Sequence, residues 1–469
     1  MGGLDWALLG CYFALLVVIG VQTSRKIKSS DDFAVAGNRI IWPVFFGSFA
    51  AAFLGGGASI GNAGATFRDG YVYMFAFSAF AVQTVLIGIF VAPRLKRYLG
   101  AHTVGDVMEH HYGRASRLVT GLLSLGLCAG ILGAQALAVG TVVNATVGLP
   151  IVPSIVVGMA VVVAYSTFGG AWAVIQTDMV QFVFLGVFLP VTLLLALGDV
   201  GGPTRLVEAL PEAHLSLGGT WSLAAFASLF VAFLLGEVLV PPYAQRTFSA
   251  TDARAARKGF VLTGFFAAAF FFITATIGLT ALVLFPGIEP DQALTTVVMK
   301  LVPAGIVGLV VAALLSVVMS TASSYLNSIA VIFVKDIYQP FVKPDLGARE
   351  RLWWERALSL IVGVAATLFA ISAPSIVDAL LYAYAMWAPT IVIPLLAAVL
   401  FGSRSRAAAL SSIGAGVVVT VLWIWLYQEQ TGVDGLVVGA GANLVVFALV
   451  ALFTRNRIGA GVRPAVKEA

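Results

Sequence analysis

VMSTASSYLNS, residues 318–328, is a polar stretch inside an apolar run that extends from Val302 to Val334. Its six polar side chains are Ser320, Thr321, Ser323, Ser324, Asn327 and Ser328. At about 100° per residue they fall within an arc of roughly 160° on a helix, so they form one polar face. A single Ser or Thr in such a helix usually bonds to a carbonyl of its own helix or to a neighbouring helix. A complete polar face instead favours a cavity or a bound ion.

The rest of the chain is strongly apolar. Of its 469 residues, 60% are hydrophobic and 10% are charged, and the mean hydropathy is +0.99, whereas a soluble domain has about 25% charged residues. Apolar runs of about 20 residues, long enough to cross a bilayer, recur from end to end. The sequence therefore predicts an all-α polytopic membrane protein. The net charge of +5 is spread over short loops without a basic face, which argues against a nucleic-acid partner.

We count thirteen candidate transmembrane helices. They begin near residues 4, 42, 71, 117, 150, 171, 221, 259, 303, 357, 375, 407 and 434. No positive residue precedes the first helix, and Arg25, Lys26 and Lys28 follow it. This charge order places the N-terminus outside and argues against a cleaved signal peptide. An odd number of helices then places the C-terminus inside.

The distribution of positive charge tests this orientation independently. With the N-terminus outside, 24 of the 27 Lys and Arg residues lie in or beside cytoplasmic segments, and only Arg68, Arg205 and Lys300 lie on the other side. This asymmetry follows the positive-inside rule. We therefore expect a multi-pass protein of the cell inner (plasma) membrane, with the lipid bilayer as its surroundings.

Two of the predicted helices are interrupted at corresponding places. The second contains FAAAFLGGGASIGNAG (49–64), with three consecutive glycines, and the seventh contains LLGEVLVPPYAQR (234–246), with two prolines. Broken backbone at membrane depth is tolerated where it is buried in protein or lines a wet cavity. Each break opens a block of five helices, and five is odd, so the second block is inverted. Such repeats are typical of secondary transporters, although close helix packing would explain either glycine segment alone.

The polar face offers hydroxyls rather than carboxylates, which suits a monovalent cation, since a divalent ion normally recruits several carboxylates. Residues before the Gly55–Gly57 break lose their helical partners and so supply carbonyl oxygens. One carboxylate, Asp178 in GGAWAVIQTDMVQF (169–182), lies within the sixth helix. It is either functional or paired structurally, for example with a loop Arg, and the residues alone leave both interpretations open.

Four blocks of the chain resemble the sodium:solute symporter family, which includes sodium-coupled proline, pantothenate, sialic acid, choline and sugar transporters. They are DDFAVAGNRI (31–40), GGGASIGNAGATFRDG (55–70), AYSTFGGAWAVIQTDMVQ (164–181) and LLSVVMSTASSYLNSIAVIFVKDIY (314–338). The resemblance implies a leucine-transporter-like fold of two inverted five-helix repeats. The chain then divides into an extra helix with the first cytoplasmic loop (1–41), the first repeat (42–198), the second repeat (199–401), and two C-terminal helices with a cytoplasmic tail (402–469).

The resemblance also implies two sodium sites. The site common to the family would use the carbonyls of Ala51, Leu54 and Val317 and the hydroxyls of Ser320 and Thr321. The second site, present in some members, would use Asp178, Ser320, Ser323 and Ser324. Two adjacent sites that share Ser320 would account for the polar face.

The solute site follows from the same resemblance. Its expected lining residues are Phe53, Gly55, Ala58, Tyr73, Phe77, Gln135, Glu237, Tyr384 and Trp387. The tryptophans of the choline transporters fall at Phe53 and about Val240, so the aromatic cage for a quaternary amine is incomplete. Glu237, at the second break, either accepts bonds from the solute or satisfies the unwound backbone.

These features predict a sodium-driven importer of a small organic solute that works by alternating access, with two sodium ions per solute. Sodium is then transported cargo rather than a cofactor, and we expect a functional monomer that is not an enzyme. A proton-coupled symporter that uses Asp178 is the main alternative. An enzyme is disfavoured, because its catalytic site would need more than His102, His110 and His111 in one loop. A channel is disfavoured because the sequence contains no repeated pore motif.

Overall fold

The computed structural model describes residues 1–24, 34–166, 170–216, 221–373 and 375–454. Within these ranges the chain is helical, apart from loops and an isolated bridge between Ile40 and Ala250. Parts of the predicted first cytoplasmic loop and tail, residues 25–33 and 455–469, lie outside the described residues. The helices are α1 (Gly3–Ser24), α2 (Trp42–Phe53), α3 (Gly57–Asp69), α4 (Tyr71–Leu95), α5 (Val104–Tyr112), α6 (Arg114–Val147), α7 (Ile151–Ser166), α8 (Gly170–Val200), α9 (Pro203–Ala209), α10 (Glu212–Leu215), α11 (Leu223–Gly236), α12 (Pro241–Ser249), α13 (Ala253–Leu284), α14 (Ala293–Leu301), α15 (Val307–Phe341), α16 (Ala348–Ser372), α17 (Ile376–Phe401), α18 (Arg406–Leu426), α19 (Gln428–Thr431) and α20 (Gly435–Thr454).

In the described part of the chain, ten helices are long and apolar enough to cross a membrane. The bent pairs α2–α3 and α11–α12 raise the number of spans to as many as 12. Helix α7 is apolar but shorter. The composition therefore predicted the class of protein correctly. The count of thirteen helices, the orientation of the termini and the domain division remain predictions.

The first break separates α2 from α3, whose axes differ by 62°. Neighbouring helices come so close that side chains are excluded there. A Cβ atom at Gly56 would lie 2.4 Å from the Ala138 Cβ of α6, and one at Gly57 would lie 2.3 Å from the Leu380 Cδ1 of α17. The glycines therefore allow both the interruption of the helix and its close packing, two explanations that the sequence alone presented as alternatives.

The second break separates α11 from α12, bent by 43°. Leu239 has φ of +48°, a left-handed conformation that is uncommon for a residue with a side chain. Pro241 then begins α12, where its missing N–H is not needed. Trp387 of α17 donates from Nε1 to the Val238 carbonyl at 2.8 Å. These contacts fix the direction in which α12 leaves the break.

The polar stretch lies on α15, the central helix of the bundle. In α15 every residue from Val310 to Leu326 is buried, whereas only a minority of the residues in α1 and α20 are buried. Helix α15 contacts α2, α6, α8, α12 and α16. The hydroxyl face therefore points into protein, where each polar atom needs a partner.

Candidate functional site

The end of α2 meets the polar face of α15. Ser320 Oγ donates to the Ala51 carbonyl at 2.7 Å, and Thr321 Oγ1 donates to the Ala52 carbonyl at 2.9 Å. The Val317 carbonyl lies 3.0 Å from Ser320 Oγ and 3.3 Å from Thr321 Oγ1. Three carbonyl oxygens and two hydroxyl oxygens thus converge in a buried space between the two helices.

The α2 carbonyls are available because the break redirects the N–H groups that a continuous helix would aim at them. The Gly55 N–H donates to the Phe53 carbonyl at 3.1 Å, and the Gly56 N–H donates to Gln135 Oε1 at 2.8 Å. A Cβ atom at Gly55 would lie 2.7 Å from Thr321 Oγ1, so only glycine leaves the hydroxyl in place. The resulting cluster contains neutral oxygens alone, a donor set that suits a hard monovalent cation.

Four of the five residues predicted for the common sodium site meet in this cluster, and Ala52 joins them. Leu54, the fifth, is buried at the break, where φ is −87° and ψ is 70°. Its carbonyl accepts no hydrogen bond from α15 within the described residues. The dihedral angles of the break decide which carbonyls face α15, and no sequence pattern specifies them.

Asp178 of α8 lies beside the second half of the polar face and is fully buried. Its Oδ2 accepts from Arg246 Nη2 at 2.8 Å and from Ser48 Oγ at 2.7 Å. Arg246 Nη2 also donates to Ser324 Oγ at 2.7 Å, and Ser324 Oγ donates to the Ser320 carbonyl at 2.6 Å. Three of the four residues predicted for the second sodium site, Asp178, Ser320 and Ser324, are therefore linked through a guanidinium.

This second cluster has one unsatisfied atom. Asp178 Oδ1 is buried and accepts no hydrogen bond from the described residues, an arrangement that costs free energy unless a cation or water completes it. Ser323 Oγ donates to the Ser320 carbonyl at 3.1 Å on the same face. Arg246 and Ser48 were not among the predicted site residues. The only signal for Arg246 was its position inside a broken apolar helix, where a charge is costly.

A small cavity lies between the two breaks. Its volume is about 20 Å³, enough for little more than one water molecule. Its walls are formed by Phe53, Gly55, Gly57, Ala58, Phe77, Phe80, Ile131, Gln135, Glu237, Phe271, Thr321, Leu380 and Tyr384. Seven of the nine predicted solute-binding residues are in this set. Tyr73 and Trp387 are not, although Tyr73 stacks on Phe77 with 5.6 Å between ring centroids.

Glu237 faces this cavity from the second break and is 8% exposed. Tyr243 of α12 donates its hydroxyl to Oε2, and Tyr384 of α17 donates its hydroxyl to Oε1, each at 2.5 Å. Each carboxylate oxygen thus already accepts one strong hydrogen bond. These bonds join α11, α12 and α17 at the break, so Glu237 has a structural role, although its observed partners are tyrosine hydroxyls and not the unwound backbone. Its place in the cavity wall also leaves it within reach of a solute.

A much larger cavity, about 710 Å³, lies where α3, α6 and the start of α17 meet the loop before α14. Asp291 of that loop accepts the Ile376 N–H through Oδ2 at 3.2 Å, at the first residue of α17. Burial raises the pKa of Asp291 to about 6, and Asp378 adds to this rise, whereas the Ile376 N–H and Arg68 oppose it. At about 710 Å³ this cavity is large enough to hold a small metabolite.

Two of the three histidines of the predicted cytoplasmic loop, His110 and His111, lie in α5, and His111 makes structural contacts. His111 Nδ1 lies 2.7 Å from the Ser403 carbonyl, so this nitrogen carries a proton and donates, and Nε2 lies 2.8 Å from the Tyr98 hydroxyl. Burial lowers the pKa of His111, because it disfavours the charged imidazolium. Among the described residues, no three His, Cys, Asp or Glu side chains group in a way that could hold a metal ion.

Comparison with known proteins places these clusters in context. Residues 33–416 match the model of the sodium:solute symporter family. The chain is 24% identical over 422 residues to a sodium/glucose cotransporter of Vibrio parahaemolyticus, covering 78% of this chain and 74% of that protein. It is 23% identical over 483 residues to an osmoregulated proline transporter of Bacillus subtilis, covering 97% and 96%. It is also 26% identical over 402 residues to high-affinity choline transporter 1 of Drosophila melanogaster, covering 80% and 62%.

Solved structures share the architecture. A sodium-coupled sialic acid symporter in a substrate-bound outward-open state superposes with a TM-score of 0.84 at 18% identity, over 96% of this chain and 98% of that chain. Mhp1, a nucleobase-cation-symport-1 family transporter, superposes with a TM-score of 0.60 at 16% identity, over 91% and 96%. The likeness establishes the leucine-transporter-like fold that the four sequence blocks implied.

Proposed function

The chain belongs to the sodium:solute symporter family, and from that premise we propose that it imports a small organic solute together with two sodium ions by alternating access. Members of this family are membrane transporters, not enzymes, and sodium is the ion that they carry with the solute. The number of ions, the direction of transport, the monomeric state and the plasma-membrane location are proposals for this chain.

One observation carries the proposal. The α2 break and the polar face of α15 bring the carbonyls of Ala51 and Ala52 to the hydroxyls of Ser320 and Thr321. A sodium ion between the helices would replace two hydrogen bonds with ion–oxygen contacts, and the hydroxyl protons would rotate away. Binding would therefore join α2 to α15, and because α2 ends in the solute cavity, it would order one wall of that cavity. This link supports coupling between ion and solute.

The second ion is assigned to Asp178. Its unpartnered Oδ1 and the Ser324 hydroxyl, which shares Arg246 Nη2 with Asp178, support a cation site there, and Ser323 lies on the same face of α15. Arg246 already neutralises the other carboxylate oxygen, so sodium would share Asp178 with the guanidinium or displace it. Two ions supply enough free energy, since each contributes about 2.3 kcal/mol per 100 mV and about 1.4 kcal/mol per tenfold gradient. The sum of about 7 kcal/mol supports roughly 10⁵-fold accumulation of a neutral solute.

The test begins with purified protein in detergent. Glucose, proline, pantothenate, choline and sialic acid are added singly, in sodium chloride or in potassium chloride of equal ionic strength, and the unfolding midpoint is measured. A transported solute should stabilise the protein more in sodium, because the two ligands are linked. Uptake of that solute into proteoliposomes should then require an inward sodium gradient. Stabilisation and uptake that are equal in both salts would contradict sodium coupling.

Proton coupling is the second candidate, because Asp178 is a buried carboxylate with a free oxygen. Uptake driven by a pH gradient in sodium-free proteoliposomes distinguishes it. We expect such uptake to be absent, and uptake that follows the pH gradient without sodium would assign Asp178 to a proton.

A further inference from the structure

A surface groove lies on the outside of the helix bundle, where α2 and α13 begin. It encloses about 500 Å³ between the start of α2, the end of α4 and the first turns of α13. One half of its wall is cationic and the other half is apolar. The groove lies on the surface of α4 and α13, two helices that are long and apolar enough to cross a membrane.

The cationic half is formed by Arg254, Arg257 and Lys258, which are all exposed. Spacings of three and four residues place them on one face of α13. In the described chain no carboxylate forms an ion pair with any of the three. Asp252, which lies nearby in sequence, caps the helix by accepting the Ala255 N–H at 2.8 Å. Three exposed cations without an ion pair in the described chain thus converge at the first turns of a long helix, and Asp252 only partly offsets the charge of Arg254.

The apolar half continues the same face of α13 toward the membrane interior. Val261 and Leu262 lie one turn beyond Lys258, and Ile89 of α4 faces them across the groove. The helices touch beneath it, because a Cβ atom at Gly88 would lie 2.7 Å from the Phe260 Cβ. The groove therefore has a closed apolar floor, and Leu262 and Ile89 remain 39% and 36% exposed.

Trp42, the first residue of α2, closes the groove at the level of the charges. Its ring lies under the Lys258 ammonium, with 5.2 Å from Nζ to the ring centroid. Tryptophan favours the depth of lipid headgroups, where its ring is partly apolar and partly hydrated. This depth marks where the headgroup of a bound lipid would sit.

We propose that this groove binds an anionic phospholipid. The phosphate of the headgroup would contact Arg254, Arg257 and Lys258, and an acyl chain would lie along Ile89, Val261 and Leu262. Guanidinium groups bind phosphate oxygens in pairs. The distribution of Lys and Arg along the chain predicts that the cationic half of the groove lies on the cytoplasmic side, where anionic lipids are concentrated. A soluble anion or an acidic peptide would leave the apolar half uncovered, so the groove as a whole favours a lipid.

This site goes beyond ion and solute binding and has a mechanical consequence. A lipid in the groove would hold α2, α4 and α13 together. Helix α2 ends in the sodium cluster, and α13 follows α12, which carries Arg246. Lys96 also donates to the carbonyls of Phe248 and Ala250, at 2.9 and 2.7 Å, between α12 and α13. The bound lipid would therefore stabilise the cytoplasmic ends of both broken helices.

The experiment uses full-length delipidated protein in a neutral detergent. Phosphatidylglycerol, phosphatidylcholine or inorganic phosphate is titrated in, the unfolding midpoint is recorded, and native mass spectrometry counts retained lipids. We expect phosphatidylglycerol to raise the midpoint in a concentration-dependent way and to be retained in preference to phosphatidylcholine. An equal effect of phosphatidylcholine would refute charge recognition, and an equal effect of inorganic phosphate would show a free-anion site instead.

Two double variants that remove the same amount of positive charge test whether the preference for phosphatidylglycerol depends on the groove. Arg254→Gln with Arg257→Gln removes two cations from the groove, whereas Arg404→Gln with Arg406→Gln removes two exposed cations elsewhere. The first pair should abolish preferential retention of phosphatidylglycerol, and the second should preserve it. Equal losses in both pairs would assign the effect to general surface charge and overturn the site. Sodium-dependent stabilisation should persist in the groove variant, which separates this proposal from the transport function.

Discussion

The Asp178 carboxylate and the Arg246 guanidinium form a buried ion pair, with 2.8 Å from Oδ2 to Nη2, that joins α8 to α12. The same carboxylate is the one that the family resemblance assigns to a sodium ion. Helix α12 is the second half of a broken span, and Arg246 also donates to Ser324 of α15. The guanidinium therefore connects the second break to the hydroxyl face. Competition between sodium and Arg246 for this carboxylate would couple ion binding to movement of α12.

Arg246→Gln tests that competition. The change leaves a buried carboxylate without a cation, and we expect the unfolding free energy to fall by about 3–5 kcal/mol in sodium-free buffer. Sodium should restore much of the loss, because it then becomes the cation at Asp178. Thermal unfolding in sodium chloride and in potassium chloride measures both effects. Arg94→Gln, which removes an Arg that donates to the Phe90 carbonyl, is the control. An identical loss in both salts would show that sodium does not reach Asp178.

Asp178→Asn tests the number of ions. If two sodium ions move per solute, this variant should lower the Hill coefficient for sodium from near two toward one and reduce the charge moved per solute. Proteoliposome uptake and reversal-potential measurements report these quantities. Because the variant leaves Arg246 unpaired, the double variant Asp178→Asn with Arg246→Gln, which removes both charges, repeats the test. One sodium per solute in the unmodified protein would sink the assignment.

Thr321→Ala tests the common site. It removes one oxygen from the cluster and leaves the Ala52 carbonyl without its donor. An ion–oxygen contact of about 1.5–3 kcal/mol corresponds to a roughly 10- to 100-fold loss of sodium affinity. Sodium titration of the unfolding midpoint measures the loss. Thr321→Ser keeps the hydroxyl and should stay near the unmodified protein, as should Ser328→Ala, which loses a bond to Gln245 instead. Normal sodium affinity in Thr321→Ala would remove this residue from the site.

Much of this arrangement could be predicted from the sequence, because its determinants are local. The hydroxyl face depends on the helical period, and the two breaks depend on glycine and proline at fixed positions. Arg246 could not be predicted, since its partner lies 68 residues away on another helix. The left-handed dihedral at Leu239 sets the direction of α12, and that direction decides which side chain meets Asp178. The contact of the Ala52 carbonyl with Thr321 at the first break, which was not predicted, has the same kind of cause.

Glu237→Gln separates the two roles of this residue. The amide has only one oxygen, so it cannot accept a bond from both Tyr243 and Tyr384. We therefore expect a lower unfolding midpoint, corresponding to a loss of about 1–3 kcal/mol in unfolding free energy. If Glu237 also contacts the solute, solute affinity should fall more than sodium affinity. Binding isotherms for both ligands, compared with those of Tyr384→Phe, which keeps the carboxylate, make the distinction. Unchanged solute affinity at reduced stability would assign Glu237 to the structure alone.

Asp291→Asn tests the contact between the loop before α14 and the start of α17. The pKa of Asp291 rises from its ordinary value of 3.8 to about 6 because of burial, so the folded protein retains the proton to higher pH than the unfolded chain does. The stabilisation that protonated Asp291 contributes is therefore complete below about pH 4 and is lost as the pH rises through 6. The unfolding free energy falls by at most about 3 kcal/mol over this range.

The asparagine oxygen can still accept the Ile376 N–H, but it does not ionise. Asp291→Asn should therefore show a smaller loss of stability between pH 4 and 7 than the unmodified protein, with the two converging at the acid end. Asp378, Glu289 and Arg68 line the same cavity, so Asp378→Asn serves as the comparison for a neighbouring carboxylate. Parallel stability curves for the unmodified protein and Asp291→Asn would mean that Asp291 ionises freely and that the loop does not bury it against α17.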